Sequence, residues 1–235
     1  YNNATTYVCA VAEVEVNRRS GEVRVTRIEE QIGPGFPAKD FFPEFDAETF
    51  AGHQHWLAPN YYQPESGRLM TSIHSWLVRT GKYTVLIDSC SGNHKPRPGM
   101  PRFDMLDTKY LERLRAAGVQ PEEIDFVMCT HLHVDHVGWN TKLENGRWIP
   151  TFRNAEYVMG RAEYEHWSTA STREDMRHVM ADSVTPIMEV GKARLVETDA
   201  AICEEIALIP TVGHTPGHVS VMISSRGEQA MITGD

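Results

Sequence analysis

The chain has 235 residues, 41% of them hydrophobic and 23% charged, the balance of a soluble globular protein and not of a disordered one. Its formal net charge of -9 works against nonspecific binding to nucleic acid or to an anionic membrane, since both are polyanions. No apolar run approaches the roughly 20 residues of a membrane helix, and Cys9, Cys90, Cys129 and Cys203 form no CxxC pair, so a reducing, cytoplasmic setting is expected.

The alternation over residues 8–16 predicts a strand, which Val23, Val25 and Ile28 answer as the second arm of a hairpin. Residues 33–64 carry Pro34, Pro37, Pro43, Pro59 and Pro64 among many aromatics, and read as a long irregular excursion forming a pocket wall or subunit contact. Residues 73–78 and 83–87 predict a hairpin around Thr80-Gly81-Lys82, followed by a Gly/Pro loop over 89–102. Leu106, Tyr110, Leu111 and Leu114 share one helical face, which Gly118 and Pro121 end. Residues 126–129 form a short apolar strand, 143–149 a hairpin around Asn145-Gly146, and 157–159 another strand. Residues 161–167 and 173–190 read as helical, with Pro186 kinking or restarting the second. Strands at 206–209, 219–223 and 230–232 complete the pattern, which predicts one α/β domain over 1–235 with a mixed sheet. The chain starts at Tyr1 and stops at Asp235 directly after an apolar run, so a longer chain is expected.

The histidines carry the functional signal. Thr130-His131-Leu132-His133-Val134-Asp135-His136 places three imidazoles and a carboxylate directly after an apolar strand. Buried without partners, these groups would be costly. A metal removes the cost, because imidazole and carboxylate are ordinary ligands of zinc and similar ions. His131 and His133 point the same way from an extended segment, and Asp135 and His136 turn toward an adjacent point, which suggests two neighbouring metals. Gly213-His214-Thr215-Pro216-Gly217-His218 and Thr233-Gly234-Asp235 likewise follow apolar strands. Strand ends at one edge of an α/β sheet are where ligand sites collect.

These motifs resemble the metallo-β-lactamase-fold hydrolase superfamily. Asp88-Ser-Cys-Ser-Gly-Asn-His-Lys and the longer Cys129-to-Asn140 segment are similar to its quorum-quenching lactonase and methyl-parathion-hydrolase-like branch. The resemblance runs from about residue 70 to the end; it is specific for fold and poorly specific for substrate. It implies an αββα sandwich of two mixed β-sheets flanked by helices, and two divalent metal ions with zinc as first choice. His131, His133 and His214 would hold one ion, Asp135 and His136 the other, with Asp235 bridging. One further His expected by the family pattern would lie beyond Asp235. The implied activity is a metal-dependent hydrolase in which a metal-bridging hydroxide opens a lactone ring such as an acyl-homoserine lactone, with Asp135 passing the proton. Another ester, thioester or phosphotriester hydrolase, or an inactive scaffold lacking one ligand, stays as the alternative. The partner is then a small-molecule ester or lactone, with neither nucleic acid nor membrane, and a homodimer is compatible with it.

Other residues weigh less. Asp88 either supports the ligands from behind or caps a turn. His218 reads as structural, and His53 and His55 form another His-x-His but without the carboxylate motif of a metal site. His94, Lys95, Arg97 and Arg102 read as a solvated basic loop, and Cys90 and Cys129 as buried small side chains. Trp56, Tyr61 and Tyr62 are the candidates for lining an acyl pocket.

Overall fold

The computed structural model describes residues 23–38, 47–169 and 173–235; the strand expected over 8–16 lies outside them. Strand β1 (Arg24–Pro37) leads to helix α1 (Ala47–Leu57), then the short β2 (Tyr62–Gln63) and the long β3 (Arg68–Arg79). Both β1 and β2 pair antiparallel with β3. β3 turns into β4 (Thr84–Ile87) through the predicted hairpin, where Thr80 Oγ1 accepts the Lys82 and Tyr83 amides at 3.1 and 2.9 Å. From β4 the large sheet becomes parallel. Helix α2 (Tyr110–Ala116) crosses to β5 (Phe126–Met128), and α3 (Val134–Val137) follows. β6 (Thr141–Glu144) and β7 (Arg147–Pro150) form the hairpin expected at Asn145-Gly146. β8 (Glu156–Gly160) lies beside β5, and α4 (Arg161–Trp167), α5 (Glu174–Val179) and α6 (Thr185–Glu189) cross to β9 (Ala193–Val196). Pro186, in the first turn of α6, restarts the helix after a π-helical segment, Met180–Val184.

A second sheet is an antiparallel meander of β10 (Ala201–Cys203), β11 (Ile206–Pro210), β12 (Val219–Ser225) and β13 (Glu228–Ile232). Period-2 alternation builds the layers. Val85 and Ile87 of β4, with Val78, Met128 and Val158, pack against Ile206, Leu208, Val219, Val221 and Ile223 of the small sheet. Leu86, Val127 and Tyr157 face the other way, onto Tyr110, Leu114, Val179, Val184 and Ile187. Burying each large aliphatic stabilises the fold by roughly 1.5–3 kcal/mol. This is the α/β sandwich the motifs imply. Among the described residues, no helix is long and apolar enough to cross a membrane.

The expected irregular excursion over 33–64 is corrected. Pro34 and Pro37 fall in β1, which among the described residues pairs with β3 alone, and they flank an irregularity in that pairing, where proline is tolerated. The proline-free stretch between Pro43 and Pro59 folds as α1.

Candidate metal centre

The carboxyl ends of the adjacent parallel strands β4 and β5 deliver the first side chains, Asp88 and His131. Asp88 and Cys90 take positive φ, 55° and 51°. This left-handed turn runs the loop after β4 alongside α3, where Ser89 N donates to His136 O at 2.7 Å and Gly138 N to Cys90 O at 2.6 Å. The approach needs glycine at 138, because a Cβ there would lie 1.9 Å from the Ser91 carbonyl carbon. Glu30 braces the same loop. A register shift in β1 between Glu29 and Gln31 turns its carboxylate inward, where it accepts Ser91 N at 2.7 Å, Gly92 N at 3.2 Å and Trp139 Nε1 at 2.7 Å.

Three ring nitrogens converge. His133 Nδ1 lies 3.1 Å from His131 Nε2 and 2.9 Å from His214 Nε2. A second group, His131, His136 and Asp235, also has its donor atoms within 4.8 Å of one another. Asp235 spans the two, with Oδ1 3.4 Å from His136 Nε2 and Oδ2 3.7 Å from His214 Nε2. Asp135, in the first turn of α3, is less central, its Oδ1 3.8 Å from His136 Nε2. Burial, reinforced by the neighbouring imidazoles, pushes His131 far below the ordinary histidine range and His133 down to about 4. Both therefore present neutral imidazole at physiological pH. Neutral rings whose nitrogens face one another at hydrogen-bond distance carry more lone pairs than N–H groups can satisfy. A divalent ion fits that donor set.

Charge balance differs on the Asp235 side. Burial alone would lower the His136 value, but the carboxylates of Asp88, Asp135 and Asp235 override it and hold His136 well above its usual range. Burial likewise opposes ionisation of Asp235, and the imidazoles of His136, His214 and His133 reverse that and hold it below the usual carboxylate range. Asp135 is raised, chiefly by burial.

Asp88 braces the histidine cluster from behind, the first of its two readings. Its Oδ2 lies 2.9 Å from His136 Nδ1 and accepts the Thr130 hydroxyl at 2.8 Å, while Oδ1 accepts Thr130 N at 2.8 Å. Thr130 Oγ1 in turn lies 3.2 Å from His131 Nδ1, so one carboxylate orients two rings. His218 is held by the loop, as expected. Its Nδ1 lies 2.8 Å from Thr211 Oγ1, and its Nε2 accepts the Asp235 amide at 3.3 Å.

A cavity of about 490 Å³ opens beside Asp88, Asp135, His136 and Asp235, walled by Tyr61, Met70, His74 and Trp76 on one side and Met231 and Ile232 on the other. Of the three aromatics expected there, only Tyr61 lines it. Trp56 sits on α1 and is 47% exposed, and Tyr62 is buried against Phe50. The basic loop is also corrected: Lys95 and Arg97 are buried. Arg97 makes a bidentate pair with Asp182 at 2.6 and 2.8 Å, and Lys95 Nζ donates to Thr141 Oγ1 at 2.8 Å. Their partner lies 85 residues from Arg97, beyond any local pattern. Cys90 and Cys129 are buried thiols, their values raised by burial, as expected of small core side chains. His53 is on α1, 3.4 Å from Trp56 Nε1 and away from the cluster.

Residues 70–235 match the family described as the metallo-beta-lactamase superfamily. The chain belongs to that superfamily. An N-acyl homoserine lactonase of Bacillus cereus is 30% identical over 113 residues, 48% of this chain and 38% of the relative. The lactonase AttM of Agrobacterium fabrum is 27% identical over 120 residues, 50% of this chain and 42% of the relative. The chain thus matches less than half the length of these curated relatives. Among solved structures of the superfamily, the hydrolase AbOPH superposes with a TM-score of 0.73 at 25% identity, covering 97% of this chain and 75% of that one. AidC, a dizinc quorum-quenching lactonase, superposes at 0.69 and 21% identity over 90% and 70%, a likeness of fold.

Proposed function

We propose that this chain is a metal-dependent hydrolase that opens the ring of a lactone of the acyl-homoserine type. The observation that carries the reading is the clutch of His131, His133 and His214 nitrogens joined by Asp235 to His136, beside a cavity with apolar walls. The relatives named as N-acyl homoserine lactonases support the substrate class.

In this reading His131, His133 and His214 hold one ion, His136 and Asp135 the other, and Asp235 reaches both. When bound, two divalent ions, zinc by first choice, supply hydroxide at neutral pH and a Lewis acid for the ester carbonyl. The chain's own residues do the rest. Asp88 fixes the rings of His131 and His136. Ile73, Met70 and Met231 line the cavity that receives an apolar acyl tail. Asp135 takes up the proton that the attacking water gives up and delivers it to the alkoxide oxygen as the ring C–O bond breaks. The product is a hydroxy acid, ionised at neutral pH, so one proton is released per turnover.

The test is a pH-stat assay of the zinc-loaded protein on lactones of increasing acyl length, with a phosphotriester and a thioester as controls. Lactones should give the highest kcat/KM. A control substrate far better than every lactone would remove the lactonase reading, and a protein that takes up no metal and turns over nothing would be a scaffold.

A further inference from the structure

Glu163 lies outside the donor cluster, on α4, and is 1% exposed. Its carboxylate accepts three N–H groups. Oε1 takes Leu132 N at 3.2 Å and Trp167 Nε1 at 2.7 Å, and Oε2 takes Gly217 N at 2.9 Å. Leu132 stands between His131 and His133. Gly217 closes the loop that carries His214. The Trp167 indole is the wall against which the His133 ring packs, with centroids 5.5 Å apart. One carboxylate therefore ties the backbone of the first two histidines, the wall behind one of them, and the loop of the third. The fit is close: a Cβ on Gly217 would stand 2.4 Å from Glu163 N.

Burying a carboxylate among uncharged donors is costly, and an apolar side chain would fill the same space without that cost. What the carboxylate provides is two acceptor oxygens facing different loops. A methylene or an amide cannot do this.

We infer that Glu163 is a positioning residue that sets the distance between the His131/His133 segment and the His214 loop, and so sets the metal affinity of that histidine triad. The inference rests on the reading of those three histidines as ligands. It acts on affinity because a triad already spaced before the ion arrives spends no binding energy on drawing its loops together.

Glu163→Gln separates this from a packing role. The amide keeps the shape and one acceptor, but turns an NH2 toward either Leu132 N–H or Gly217 N–H. Zinc affinity for the first equivalent, measured by chelator competition, should fall roughly ten- to a hundredfold. The visible spectrum of the cobalt-substituted protein should change with it. A variant that only melts at a lower temperature, with zinc affinity and cobalt spectrum within about twofold of the parent, would overturn the inference. Amide exchange in the unaltered protein gives a second measurement that needs no variant. Without metal, Leu132 and Gly217 should be protected, and exchange of both at the rate of open loops would overturn it equally. His133→Ala distinguishes the two levels: unchanged zinc affinity there would remove the ligand reading itself, whatever Glu163→Gln does.

Discussion

At the scale of single residues, two carboxylates divide the work. Asp235 offers its two oxygens to His136 and His214, so its loss should affect both halves of the centre. Asp235→Ala is expected to lower metal occupancy, read by elemental analysis, and to nearly abolish turnover; full occupancy with full activity would take Asp235 out of the site. Asp88 accepts from Thr130 N, Thr130 Oγ1 and His136 Nδ1. Asn at this position has one acceptor oxygen for donors that now share two. Asp88→Asn should therefore weaken metal binding about 10- to 100-fold. It should also destabilise the metal-free fold by about 1–3 kcal/mol, the cost of a buried donor left unpaired. A calorimetric melt and a zinc titration on the same preparation measure both.

At the scale of elements, the site depends on segments meeting without side chains between them. Residues 88–92 and α3 touch backbone to backbone at Gly138, where helical φ of -59° would itself accept alanine. Only space forbids it. Gly138→Ala should lower the urea midpoint by the equivalent of about 3 kcal/mol, the upper end for overpacking, and should loosen His136 with it; a midpoint unchanged from the parent would mean that the two segments can part freely. The bulge in β1 belongs to the same scale, since the extra residue is what turns Glu30 from solvent to the amides of Ser91 and Gly92.

At the scale of the whole molecule, protonation links folding to metal loading. His133 has a folded value of about 4, below its unfolded one, so the unfolded chain takes up protons first and this residue's contribution falls as pH drops from about 6.5 toward 4. His136 has the opposite sign. Its folded value is raised, so its pairing with Asp88 and Asp235 stabilises the metal-free fold below about pH 6.5 and is lost as pH climbs through the folded value. A metal must displace the His136 proton, while His131 and His133 have none to lose at neutral pH. In the proposed reading zinc binding at pH 7 should release the His136 proton, over and above any given up by bound water, and affinity should rise with pH. Titration calorimetry in buffers of different ionisation enthalpy measures the count. No release would mean that His136 is already neutral.

The sequence by itself determined most of the short apolar strands from residue 73 onward, the Thr80 and Asn145 hairpins, and the three histidine- and aspartate-bearing strand ends, because each is written in neighbouring residues. Short elements escaped it: α3 is a single turn, and β9 and β10 offer too few residues to show a period. The helix α1 was hidden by prolines that bracket it. What only the tertiary structure decided are the partners of buried charge. Glu30 reaches Ser91, Arg97 reaches Asp182, and Glu163 reaches Gly217, across 61, 85 and 54 residues. A lone Glu or Arg reads as surface in any local window. It becomes buried when the fold sets distant N–H groups or a counter-charge against it, and those contacts exist only once the strands are in register.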